Sequence, residues 1–318
     1  MRILFLILTS FFSIQIVDIQ GQSLSDDDSL NLVEMRLGNQ YKFINPLLDC
    51  TDLKPTSIPK IKKIGALVDS TIMHYKSTDE IEEISFYVRD MDNGPWYGVN
   101  EDKKYIPASL LKLPTMIALL LEAQEDPDLL SLQVYYEQPA ESMVALTTDS
   151  THIIPGHIYT IDELLQYMIS NSDNEARLLL LNYISDSVLM YVYYELGLSI
   201  EGHTDFEEFI SAKDYAAFFR VLYNATLLNK TMSQKALYYL STSSFHDGLE
   251  AGIPEDVVIA HKFGERGFPN NPLKYLHDCG IVYKDGNPYL ICVMTKGKNM
   301  KKQKKIIADI SKIVFDNI

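Results

Sequence analysis

Between residues 110 and 123 the chain runs Leu-Leu-Lys-Leu-Pro-Thr-Met-Ile-Ala-Leu-Leu-Leu-Glu-Ala, and this nearly all-apolar segment limits the available folds more than any other stretch. A helix that is apolar all round is stable only inside a core, and the segment is too short to span a bilayer comfortably. It therefore predicts a buried helix. Yet the same segment carries Lys112 in its first turn, with Ser109 just ahead of it. Residues three apart share a helix face, so Lys112 can lie beside the Ser109 oxygen. A serine hydroxyl is a poor nucleophile at neutral pH and needs a neighbouring base. Burial and nearby cations lower the pKa of an amine, which lets a lysine take that role. The helix N-terminus also favours negative charge developing near Ser109. Taken alone, the pair has a plainer reading as an N-cap serine followed by a surface lysine.

Two further motifs follow in order. Met168-Ile169-Ser170-Asn171-Ser172-Asp173-Asn174-Glu175-Ala176 sets a Ser-Asp-Asn triplet in a polar turn between two apolar helical segments. Residues 257–267, Val-Val-Ile-Ala-His-Lys-Phe-Gly-Glu-Arg-Gly, read as a β-branched strand that carries Lys262 and Gly264. The ordered set S-x-x-K, S-D-N and a near match to K-T-G is the signature of class A β-lactamases and penicillin-binding proteins. From about residue 58 to its end the chain resembles that superfamily. The resemblance implies an α+β, β-lactamase-like fold: an antiparallel five-stranded sheet flanked by terminal helices, an all-helical lobe, and a site in the cleft between them.

The hydrophobic pattern agrees with that order. Residues 58–75 have apolar positions at helical spacing (Ile61, Ile64, Leu67, Val68, Ile72). Residues 83–89 and 96–99 read as a hairpin around Asp-Met-Asp-Asn-Gly-Pro. Helical patterns fill most of 161–223, strands return at 257–264, 279–284 and 288–295, and a helix closes the chain from about 303. The expected division is a signal peptide at 1–21, an extended leader at 22–57, and a hydrolase domain at 58–318. Within that domain, 58–105 and 255–318 form the α/β lobe and 106–254 the helical lobe.

On the resemblance, Ser109 attacks an amide or lactam carbonyl and Lys112 takes its proton, while Ser172 and Lys262 relay a proton to the leaving nitrogen. Asn174 binds the substrate amide. The oxyanion sits between the backbone N–H groups of Ser109 and Glu265, donors of a kind worth a few kcal/mol in acyl transfer. Gly264 and Arg266 complete the substrate-binding set, the guanidinium being suited to a carboxylate. Read by itself, Arg266 is more simply an exposed strand-end arginine.

Two departures bear on substrate. Phe263 stands where the family has Thr or Ser, which removes a hydroxyl that helps hold the substrate carboxylate. Between Gly197 and Ser211 there is no E-x-x-L-N, the setting of the glutamate that releases the acyl-enzyme in class A β-lactamases. Glu207 and Glu208 are the acidic residues closest to that role; spacing alone favours a loop or cap role for both.

Composition bounds the remainder. With 318 residues and 47% apolar content the chain can bury a substantial core. A formal charge of −15 argues against nucleic-acid binding. The basic run Lys301-Lys302-Gln303-Lys304-Lys305 reads as a solvated face of the last helix. The seven histidines show no paired ligand spacing, so neither a metal nor another cofactor is expected. Three cysteines make no disulfide framework. If Asp285 and Gly286 form a two-residue turn, however, Lys284 faces Asn287 and, by continuation, Cys279 faces Cys292 in a non-hydrogen-bonded pair. A cross-strand bridge and two reduced core cysteines both stay open at this point.

The expectation is an exported, monomeric serine hydrolase, reached through a signal segment that could also serve as an uncleaved anchor. Its partner is a small-molecule β-lactam or a peptidoglycan peptide. The alternatives are a penicillin-binding-protein-like D-Ala-D-Ala carboxypeptidase that deacylates slowly, and a non-catalytic binding protein that keeps the fold.

Overall fold

A computed structural model of the protein describes residues 41–46, 59–77, 81–92, 94–137, 152–198 and 207–318. All of them belong to one compact unit, Glu34–Ile318. The expected signal segment and most of the expected leader lie outside the described residues. The leader's last described residues are built into the core: Phe43 and Ile44 are buried, Asn45 N–H donates to the Tyr223 carbonyl at 3.0 Å, and the Tyr283 hydroxyl donates to the Phe43 carbonyl at 3.0 Å.

The elements run α1 (Pro59–Lys76), β1 (Ile81–Asp90), β2 (Trp96–Val99), β3 (Lys104–Tyr105), a 3₁₀ turn (Ala108–Leu111) and α2 (Lys112–Glu125). Next come β4 (Gln133–Tyr136), β5 (His157–Thr160), α3 (Ile161–Ser170), α4 (Asn174–Leu180), α5 (Asp186–Glu195), β6 (Ile210–Ser211), α6 (Ala212–Asn224) and α7 (Lys230–Leu240). The chain ends with β7 (Ile259–Phe268), β8 (Asn271–Val282), β9 (Tyr289–Gly297) and α8 (Met300–Asn317). The five-stranded antiparallel sheet has the order β2-β1-β9-β8-β7, which leaves β7 at an edge.

Each face of this sheet has its own core. Ile61, Ile64, Val68 and Ile72 of α1 and Ile306, Ile307, Ile310 and Val314 of α8 cover one face; Leu67, placed on the same stripe by spacing, is 40% exposed. On the other face α6 packs on β1, β8 and β9 and α7 on β7, and α2 and α3 join the same core behind them. Residues 112–120 of α2 are all buried, as an all-round apolar helix requires, and each Leu, Ile or Met among them contributes roughly 1.5–3 kcal/mol. Polar caps fix the helix starts, with capping boxes at Thr160/Glu163 on α3 and Ser211/Asp214 on α6. Two short strand pairs accompany these helices, β4 with β5 and β3 with β6; Gln133–Tyr136 alternates exposed and buried positions, the strand period.

The hairpin register follows the turn. Asn287 N–H donates to the Lys284 carbonyl at 2.9 Å across Asp285-Gly286, Gly286 is left-handed (φ 69°), and Cys279 faces Cys292. The two cysteines form a disulfide with their Cα atoms 4.0 Å apart.

Candidate active site

Ser109 lies within the 3₁₀ turn rather than in the α-helix proper, and Lys112 is the first residue of α2. In a 3₁₀ turn, residues three apart are nearly eclipsed, which brings the amine directly to the hydroxyl at 3.0 Å. The cap position belongs to Pro107, with no side-chain cap bond, so Ser109 is not a cap. Ala108, immediately before it, has φ 51°, a left-handed conformation that costs energy for a residue with a Cβ. Gly264 explains how the turn and β7 come together. A Cβ there would stand 2.9 Å from both the Pro107 carbonyl oxygen and Leu110 Cγ, so only glycine lets the edge strand approach. Behind the turn, the Tyr215 hydroxyl donates to the Leu110 carbonyl at 3.0 Å.

The Ser-Asp-Asn turn joins α3 to α4, and Ser172 takes φ 56° at its apex. Lys112 Nζ bonds the Ser172 carbonyl and lies 3.1 Å from Ser172 Oγ and 2.6 Å from Asn174 Oδ1. Lys262 Nζ reaches the same hydroxyl from β7 at 3.0 Å and donates to the Phe263 carbonyl at 3.0 Å. Ser172 Oγ thus stands between two amines. Ser109, Lys112, Ser172, Asn174 and Lys262 come together as one constellation, although they are up to 153 positions apart in sequence (262 − 109 = 153).

Both amines are almost wholly buried, Lys112 at 1% and Lys262 at 0% exposure. Burial, followed by the cationic Lys262 and Arg177, drives the Lys112 pKa well below its ordinary value. Burial also lowers Lys262, to about 7, against the opposing charges of Asp278 and Glu265. Phe263 places its ring 4.2 Å from Lys262 Nζ and stacks on Phe245 with ring centroids 4.3 Å apart. The position where the family has a hydroxyl is therefore filled by a buried aromatic. Gly264 is buried and Glu265 and Arg266 are half-buried on the outer run of β7, with the Arg266 guanidinium 5.5 Å from the Phe268 ring.

Glu208 is held by the Tyr275 hydroxyl at 2.8 Å and Lys296 Nζ at 3.0 Å, and these bonds hold its carboxyl below the usual range although its partial burial acts the other way. Residues 199–206 of the same loop lie outside the described residues. Asp173 and Asp278 were not singled out by sequence reasoning. Asp173 is fully buried, accepts from Ala176 N–H at 2.9 Å and Ile153 N–H at 2.9 Å, and lies 3.3 Å from His152 Nδ1; it caps α4 and pins segment 152–153 to the turn. Asp278 carried a signal, an acid inside the apolar run of β8. Among the described residues there is no group of three or more His, Cys, Asp or Glu placed to hold a metal, and no helix is long and apolar enough to cross a membrane.

Comparison with known proteins places this geometry. The extended-spectrum β-lactamase PER-1 of Pseudomonas aeruginosa is 25% identical over 173 residues, which cover 49% of this chain and 56% of that enzyme. A class A β-lactamase from Bacteroides cellulosilyticus superposes with a TM-score of 0.67 at 21% identity, covering 81% of this chain and 98% of that one. A mutant of PBP-A, solved as an acyl-enzyme complex with penicillin G, superposes with a TM-score of 0.64 at 19% identity, covering 80% and 96%. The model of the beta-lactamase enzyme family matches residues 66–318, most of the sequence, and the chain belongs to that family.

Proposed function

We propose that this protein is an exported serine hydrolase, acylated at Ser109 by a β-lactam or a D-alanyl peptide amide and then released by water. The observation that carries the reading is the position of Lys112 Nζ, buried, 3.0 Å from Ser109 Oγ and with its proton affinity lowered by its surroundings. A neutral amine there removes the serine proton as Oγ bonds to the carbonyl carbon. The resulting oxyanion faces the N–H groups of Ser109 and Glu265, the latter on the edge strand β7. When the C–N bond breaks, Ser172 passes its proton to the leaving nitrogen and is resupplied by Lys262. Asn174 orients the substrate amide, and Arg266 offers a guanidinium to its carboxylate.

Slow release of the acyl group, as in penicillin-binding proteins, is the second reading. It is favoured by the missing E-x-x-L-N and by Glu208 being engaged with Tyr275 and Lys296. Intact mass spectrometry during reaction with a penicillin, run beside Ser109→Ala, tests both. The expected result is an adduct that forms only with Ser109 present, and its lifetime separates turnover from trapping. No adduct, with the drug unconsumed, removes the β-lactam reading and leaves another acyl substrate or a binding protein.

A further inference from the structure

Lys262 is flanked on β7 by two residues anchored on the far side of the sheet from the Ser-Asp-Asn turn. His261, 1% exposed, has Nδ1 2.8 Å from Asp278 Oδ1. Phe263 stacks on Phe245. Asp278, fully buried on β8, uses its second oxygen to accept Leu249 N–H at 2.9 Å. Two glycines make room for this arrangement. A Cβ at Gly280, which faces His261 across the ladder, would lie 2.4 Å from the His261 Cβ; one at Gly248 would lie 2.3 Å from Asp278 Oδ2. The groups facing the imidazole are Asp278 from β8 and Glu250 from the turn after α7, whose Oε2 is 3.8 Å from Nε2 and 2.9 Å from His246 Nδ1. None of these side chains belongs to the acyl-transfer machinery.

A buried carboxylate bounded by two obligatory glycines is costly unless the charge has a use. We propose that His261 and Asp278 form a positioning unit for Lys262: the bond between them holds β7 against β8 on either side of the lysine stem, and Asp278 supplies the fixed negative charge that keeps the amine an ammonium. Asp278 is the ladder partner of Phe263, the residue next to Lys262, and a carboxylate there acts through a weakly screened interior. Asp278 is the leading charge that opposes the burial of Lys262. The part played by the ammonium rests on the acyl-transfer reading above; the charge coupling does not.

The test follows the titration of Lys262 directly, by NMR of the full chain carrying lysine labelled with ¹³C at Cε, the resonance being assigned with Lys262→Met. It needs no acyl substrate, so a protein that penicillin does not acylate loses the functional reading while this inference is still decided. Asp278→Asn keeps the shape and removes the charge. The expected result is a Lys262 midpoint lower by about one pH unit than in the wild type, the size of a single-charge effect through a weakly screened interior. An unmoved midpoint in folded Asp278→Asn overturns the proposal. Should that variant not fold, the double variant His261→Gln/Asp278→Asn decides, because two neutral amides can bond each other in place of the pair: the same lowering is expected, and an unmoved midpoint overturns the proposal. Where acylation does occur, its alkaline limb should move with the NMR midpoint in Asp278→Asn.

Discussion

The two buried amines of the site sit in unlike regions, one at the start of a helix and one in the middle of an edge strand. Both lose hydration to a similar degree, yet their neighbours differ. Lys112 is ringed by oxygen acceptors and faces two cations, Lys262 and Arg177, which add to the effect of burial. Lys262 has an aromatic face and a carboxylate behind it, and its pKa comes to about 7. On the proposed mechanism the same functional group is thereby directed to opposite tasks, base and acid, which is the usual way a site divides proton chemistry between like residues.

The contrast breaks most sharply at Lys112. Lys112→Met keeps the buried stem and removes the base; penicillin acylation followed by intact mass should fall by about 10³-fold, with the melting temperature unchanged or raised because a buried amine is lost. A variant that acylates at the wild-type rate would transfer the base role elsewhere. Gly264→Ala attacks the meeting of the two regions. Its Cβ must displace the Pro107 carbonyl or Leu110, and a shift of about 1 Å between turn and strand should cost on the order of 10² in acylation, read beside circular dichroism to show that the fold persists.

A pH profile sharpens the comparison. In the proposed mechanism Lys262 is the acid and must be protonated, so acylation should decline above pH about 7, by about tenfold for each further unit. Lys112, the base of that mechanism, has a lowered pKa and would limit the acid side. A profile flat from pH 6 to 9 would deny Lys262 that part. The smallest effect is expected from Phe263→Thr, which restores a hydroxyl beside Lys262 and loses the stack on Phe245. KM for a carboxylate-bearing penicillin should fall a few-fold, and the protein should lose about 3 kcal/mol of stability in a denaturant titration. An unchanged KM would mean that the ring does not border the carboxylate position.

Several of these features were open to reading from the residues. Ser109, Lys112 and the Ser-Asp-Asn triplet stand at spacings set by single turns, so local geometry alone brings each set together. The facing of Cys279 and Cys292 followed from one tight turn, because a two-residue hairpin sets the register of everything beyond it. Element ends were less legible: the α-helix begins at Lys112 and not at Leu110, since the serine turn is 3₁₀. The roles of Gly248, Gly264 and Asp278 were hidden, because each depends on a side chain or backbone far away in sequence.

What the sequence determined by itself is a buried helix that begins with a serine and a lysine, a polar turn, and a lysine-bearing strand, all readable from periodicity and short-range spacing. Only the tertiary structure decided that both lysines meet one serine hydroxyl, that Phe263 turns its ring to Phe245 and the amine, and that a buried carboxylate stands behind the strand. The reason is physical: a pKa, a close approach or a charge pairing belongs to the surroundings of a group, and those surroundings exist only after distant segments have packed.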